Sequence, residues 1–172
     1  HVPEARVELW PQVFEAFADV DGILHGGDIH HLKVIDQMEK LAPVWSARGN
    51  GEDGSGGRQV APEDPRLRTT WRLRLGELNV GIIHDLPVPE IPPKLTIANS
   101  MREEFRIDPD GPDRLDVIVH GDSHKERIDL IESVVCVNPG SPTYPRNLAT
   151  RMGTFGFLDI DGRTVRASLC QI

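Results

Sequence analysis

A chain of 172 residues is long enough to enclose one sizeable core and too short for two ordinary domains, so one domain spanning 1–172 is expected. Its 27 acidic against 19 basic side chains leave a formal charge of −8 and a pI near 5.3, which disfavours broad electrostatic capture of nucleic acid. No apolar run approaches the ~20 residues of a membrane-spanning helix, no signal-peptide pattern opens the chain, and Cys136 and Cys170 are too few for a disulfide framework, so the expectation is a cytoplasmic protein with free, buried thiols.

After His1, the spacing of Trp10, Val13, Phe14 and Phe17 predicts a helix, with Pro11 tolerated in its first turn. Residues 22–25 read as a strand running into Gly26, Gly27 and Asp28, where two glycines let the backbone approach closely. Asp28 is the foremost candidate site residue; the competing local reading is a cap for the helix that begins near His31. His30 and His31 read as surface residues at that helix start, with substrate contact left open. Leu32, Ile35, Met38 and Leu41 mark the second helix, Pro43 ends it, and residues 44–47 form a strand that leads to Gly49 and Asn50. This alternation implies parallel strands joined by right-handed crossovers.

Residues 54–64 are rich in glycine, proline and polar groups, the composition of a mobile loop suited to a lid. Residues 69–75 and 78–84 flank a Gly76-Glu77 turn and predict a hairpin ending in His84. Residues 87–93 are Pro-rich and irregular, 96–106 are helical in character, and 108–113 are turn-like. The run 115–119 has the Val and Ile content of a buried strand and leads into Gly121, Asp122, Ser123 and His124. A carboxylate and an imidazole two residues apart, just after a glycine, can point into one small volume. Taken alone, the fragment reads first as a polar turn capping a core strand. Residues 127–131 and 134–137 are short strands, 138–142 a tight turn, and Arg146 stands either on the surface or within reach of a phosphate. Residues 154–160 and 165–169 flank an Asp161-Gly162 hairpin signal, so the second half is expected to be mostly antiparallel.

Four strand-like runs thus deliver Asp28, Asn50, His84 and the Asp122/His124 pair at their C-terminal ends, the edge where open α/β sheets build sites. This ordered set resembles the calcineurin-like metallophosphoesterases, whose signature runs Asp-x-His, Gly-Asp, Gly-Asn, His, Gly-His-x-His. The resemblance spans nearly the whole chain, and residues 137–142, VNPGSP, are similar to the small bacterial and archaeal phosphodiesterase branch. It implies an α/β fold, a four-layer α/β/β/α sandwich of two mixed sheets flanked by helices. It also implies a metal-dependent phosphodiesterase with a dinuclear centre acting on a small or nucleotide-like phosphodiester.

By the same resemblance one metal falls to His1, Asp28, His124 and an Asp two residues before His1, on a first strand expected upstream. The other falls to Asp28, Asn50, His84 and Asp122, with Asp28 bridging and Asp28, Asn50 and His84 catalytic. Asp122 stands where the family has an imidazole, and a carboxylate hardens the site, which favours Mn²⁺ over Fe, Zn²⁺ or Mg²⁺. Gly51, Glu52 and Asp53 stand where many members have a His and Asp, so the leaving-group acid is absent, as in the small branch. These departures support an alternative, a scaffold that has lost catalysis and binds proteins, as in a eukaryotic trafficking branch of the fold. A nuclease is a third reading, disfavoured by the acidic balance. Substrate choice would reside in loops 54–64 and 87–93, and the Arg-heavy, Lys-poor composition suggests a bacterial source.

Overall fold

The structure is a computed structural model that describes residues 1–86, 96–145 and 153–172; the loop expected at 87–93 and Arg146 lie outside the described residues. Near the start, helix α1 (Pro11–Ala16) carries proline at its first position, where no intrahelical N–H is needed, and buries Val13. Strand β1 (Ile23–His25) is followed by helix α2 (Lys33–Met38), which buries Val34, Ile35 and Met38 on one face. The chain returns through β2 (Val44–Ala47), parallel to β1 with Ile23 opposite Val44. β3 (Leu67–Arg68) then pairs parallel to β2, Ser46 opposite Leu67. Val13, Ile23, Val34, Ile35, Met38, Val44 and Leu67 form one core between the two helices and this sheet. Each such fully buried aliphatic side chain contributes about 1.5–3 kcal/mol.

The strand expected at 69–75 begins earlier and divides: β3 belongs to the first sheet, while β4 (Thr70–Leu75) crosses to a second. Arg66 anchors the approach, its guanidinium reaching Asp64, Asp36 and Glu39 and so tying the loop to α2. The second sheet has the order β4-β5-β6-β8-β7, with β5 (Leu78–Ile83), β6 (Val117–Val119), β7 (Arg127–Ile131) and β8 (Val134–Asn138). β4 and β5 form the expected hairpin, Leu75 opposite Leu78. β6 is parallel to both β5 and β8, so the second half is mixed rather than mostly antiparallel. β9 (Thr154–Asp161) and β10 (Thr164–Gln171) form a separate antiparallel pair whose register places Gly162 and Arg163 in the turn.

Alternation along β5 explains the layering. Val80 and Ile82 face the first sheet and the β9–β10 pair, packing with Leu24, Trp71 and Leu158, whereas Ile83 faces helix α3 (Ile97–Glu103) and packs with Ile97, Met101 and Phe105. Between them Gly81 admits the ring of Phe105, since a Cβ there would lie 2.8 Å from it. The Trp71 indole N–H donates to the Ser46 carbonyl at 2.8 Å, bridging the two sheets. The result is helix, sheet, sheet, helix, the four-layer α/β/β/α sandwich. An open pocket of about 630 Å³ is lined by Ile23 and Leu24 of β1, Val119 of β6 and Phe157 and Leu158 of β9, together with Asp19, Asp21, Arg74 and Asp159. Cys136 is buried and Cys170 half-buried, both free. Among the described residues no helix is long and apolar enough to cross a membrane.

Candidate metal centre

The C-terminal ends of β1, β2, β5 and β6 open onto one cleft, and all six candidate residues meet there. His1 Nε2 lies 2.9 Å from His124 Nε2 and 3.7 Å from Asp28 Oδ2. His84 Nε2 lies 3.1 Å from Asn50 Oδ1, 3.3 Å from Asp28 Oδ1 and 3.6 Å from Asp122 Oδ1. The two oxygens of one buried carboxylate therefore face two different groups of donor atoms. His84 Nδ1 lies 2.6 Å from the Gly26 carbonyl, which can only accept, so Nδ1 carries a proton, and in the neutral ring Nε2 presents its lone pair to the cleft.

The first of these donor sets fits a divalent cation. His1, Asp28 and His124 each offer a ligand atom within 4.8 Å of the others. Around His84 the Asn50 amide has two orientations: nitrogen inward, 3.1 Å from Asp28 Oδ1 and 3.2 Å from Oδ2, or oxygen inward among atoms that are all acceptors. The nitrogen-inward orientation donates to both Asp28 oxygens and to His84 Nε2 without any cation; a bound cation would instead take the amide oxygen together with imidazole and carboxylate, donors that suit it.

The local backbone is unusual in a repeated way. Asp28, His30, Asp122 and His124 have φ values of 58°, 63°, 58° and 56°, the left-handed region that costs an ordinary L-residue about 1–2 kcal/mol. Both pairs belong to a Gly-Asp-x-His sequence, 27–30 and 121–124. At the first, the fully buried Glu52 carboxylate holds the loop, accepting from the backbone N–H of Asp28 at 3.1 Å, His30 at 2.7 Å and Gly49 at 2.8 Å. Asp28 itself accepts from Gly51 N–H at 2.7 Å, and α2 starts beyond it with no side-chain cap, so Asp28 is not the helix cap. At the second, Ser123 N–H donates to the Gly121 carbonyl at 2.7 Å, leaving the half-exposed Asp122 carboxylate free to face His84. Asn138 supports this turn from below, donating to Gly121 O at 2.6 Å and Ser123 Oγ at 3.1 Å.

His30 corrects the sequence reading. Instead of lying on the surface, its side chain is 7% exposed, with Nε2 2.8 Å from His1 Nδ1 and Nδ1 2.6 Å from Glu4. His31 is exposed, as expected. Gly51 leaves the room: a side chain at 51 would overlap the His30 ring. The 54–64 segment carries a 3-10 turn at Ser55–Gly57 and is tied to the site by Arg58 pairing with Glu4 and by Ala61 N–H donating to the Glu52 carbonyl at 2.9 Å. Tyr144, 58% exposed, sets its ring edge-on to His1 and His124, with centroids 5.5 and 5.2 Å away. Burial pushes the His124 and His30 imidazoles below their ordinary pKa, and His25 and His120 down to about 4. Sequence reasoning missed His30, Glu52 and Tyr144; only the duplicated Gly-Asp-x-His offered a signal for His30.

The profile of the calcineurin-like phosphoesterase superfamily domain matches residues 1–163. The chain belongs to this superfamily. A "Probable metallophosphoesterase" of Methanothermobacter thermautotrophicus is 32% identical over 146 residues, covering 85% of this chain and 74% of that protein. A second, from Methanocaldococcus jannaschii, is 27% identical over 146 residues, 85% of this chain and 66% of that protein. Among solved structures, Vps29 of Chaetomium thermophilum superposes with a TM-score of 0.67 at 16% identity, covering 100% of this chain and 92% of that one. Wild-type Vps29 of Entamoeba histolytica, solved as a complex with Zn²⁺, gives 0.65 at 19% identity, covering 99% and 94%. These likenesses show the metallophosphoesterase fold. Against the superfamily pattern, the departures in this cleft are Gly51, its space taken by His30, and Asp122.

Proposed function

We propose that the chain is a metal-dependent phosphoesterase that hydrolyses a small or nucleotide-like phosphodiester at a dinuclear centre. The observation that carries this reading is the division of Asp28, with Oδ2 toward His1 and Oδ1 toward His84, while the Asn50 amide reaches both oxygens. His1, Asp28 and His124 would hold one cation, and Asp28, Asn50, His84 and Asp122 the other. Divalent cations there supply neutralisation of the phosphoryl charge and activation of a water at neutral pH. The protein's own contribution is orientation: Gly26 fixes the His84 tautomer, Glu52 fixes the Asp28 loop, and Tyr144 forms an exposed wall beside His1 and His124. With glycine at 51, no imidazole at that position protonates the departing oxygen, so leaving groups that are stable as anions are favoured. Asp122 biases the second set toward Mn²⁺.

The test is hydrolysis of bis-p-nitrophenyl phosphate and p-nitrophenyl phosphate by chelator-treated protein, with and without added Mn²⁺ or Zn²⁺. Diester turnover that requires the metal and is lost in Asp28→Asn supports the reading; metal-independent or absent turnover rejects it. A second reading, a protein-binding scaffold, is favoured by the two departures and by the likeness to Vps29, whose Chaetomium form was also solved with a cyclic peptide. That reading predicts peptide binding without turnover.

A further inference from the structure

We propose that Glu4 and His30 are positioning residues that fix the tautomer of His1, forcing its Nε2 lone pair into the cleft. A line of hydrogen bonds runs inward from the surface to His1. Arg58 grips Glu4 with Nε at 2.9 Å and Nη2 at 3.1 Å, so both carboxylate oxygens are accepting. Glu4 Oε2 lies 2.6 Å from His30 Nδ1 and can only accept, so Nδ1 carries the His30 proton. In a neutral ring that leaves His30 Nε2 as an acceptor, and its neighbour at 2.8 Å, His1 Nδ1, must donate. His1 Nε2 is then the unprotonated nitrogen, and it is this atom that stands 2.9 Å from His124 Nε2 and 3.7 Å from Asp28 Oδ2. Reversing any link would place an N–H where a ligand lone pair is needed.

Three features show that the His30 ring is held rather than merely tolerated. Its backbone is left-handed at φ 63°, its N–H is bound by the buried Glu52 at 2.7 Å, and position 51 is glycine where any side chain would displace the ring. Outer partners of this kind orient metal-binding histidines, and their loss typically costs ~10–100-fold in affinity. The tautomer assignment stands on the hydrogen bonds alone; its consequence for cation affinity rests on the dinuclear reading above.

The experiment reads both. Long-range ¹H–¹⁵N correlation of the imidazoles in the metal-free full chain, above the ordinary imidazole pKa of ~6.5, should show His1 protonated at Nδ1. In Glu4→Gln, Arg58 retains the amide oxygen and the NH₂ faces His30, so the line reverses and His1 should move to the Nε2–H form. Zn²⁺ affinity by calorimetry should fall ~10–100-fold in Glu4→Gln and in His30→Phe, with the backbone amide spectrum otherwise preserved. An Nε2–H tautomer in the unsubstituted chain, or unchanged tautomer and Zn²⁺ affinity in Glu4→Gln, overturns the proposal. An Nδ1–H tautomer in a chain that binds no Zn²⁺ supports the hydrogen-bond line and rejects the metal reading instead.

Discussion

Asp122 and His120, two residues apart, show how differently neighbouring polar groups behave at one strand end. If Asp122 ligates the second metal, Asp122→Ala should lower metal content and cut turnover by orders of magnitude. Asp122→His should retain activity with preference moved from Mn²⁺ toward Zn²⁺, because imidazole is the softer donor. Elemental analysis of the purified variants decides; wild-type metal content in Asp122→Ala would remove it from the set. His120 is 3% exposed, its Nε2 has no hydrogen-bond partner among the described residues, and burial, followed by the Arg127 charge, lowers its pKa from 6.5 to about 4. The unfolded chain takes up a proton near 6.5 and the folded chain only near 4. Stability from this residue is therefore complete above pH 6.5 and is lost as pH falls from 6.5 toward 4, by at most about 3 kcal/mol. His120→Phe should flatten that part of the stability curve, measured by urea unfolding at several pH values.

Elements here are short, so their ends and packing faces carry much of the stability. α3 spans Ile97–Glu103 and is capped by Thr96, whose Oγ1 accepts from Asn99 N–H at 3.1 Å. Thr96→Ala should cost about 1 kcal/mol, read as a lower denaturation midpoint with unchanged slope; no change would mean that Phe105 and Met101, both buried, hold the helix unaided. In β5 the limiting contact is steric. An alanine at Gly81 would bring its Cβ to 2.6 Å from Leu115 and 2.8 Å from Phe105, so Gly81→Ala should destabilise by about 1–3 kcal/mol through overpacking. Phe105→Leu in the same chain should relieve part of that cost, which a double-mutant cycle would measure.

Across the whole molecule, the cleft joins loops from both sheets: Asp28 and Asn50 come from β1 and β2, His84, Asp122 and His124 from β5 and β6. A cation held between them should tie the sheets together. Saturating Mn²⁺ or Zn²⁺ at ~100 times its dissociation constant should then stabilise the fold by about 2.7 kcal/mol, seen as a rise in Tm that chelator reverses and Asp28→Asn abolishes. An unmoved Tm would count against both sets.

The strand ends were legible in the sequence because their signals are local: an apolar run sets a buried strand, and a glycine beside Asp28, Asn50 or Asp122 sets the turn that follows it. The order of those ends carried the superfamily and the layered fold. What sequence alone could not reach depended on partners far along the chain. His30 read as a surface residue because the groups that enclose it, Glu4 at 26 positions and Glu52 at 22, are not its neighbours until the chain folds. β3 is a strand only because β2 offers an unpaired edge to Leu67 and Arg68, and the mixed character of the second half follows from β6 being inserted between β5 and β8. Local propensity determined where strands stop and which side chains they deliver; long-range packing decided which of those side chains are buried, what they hydrogen-bond, and in which direction each imidazole holds its proton.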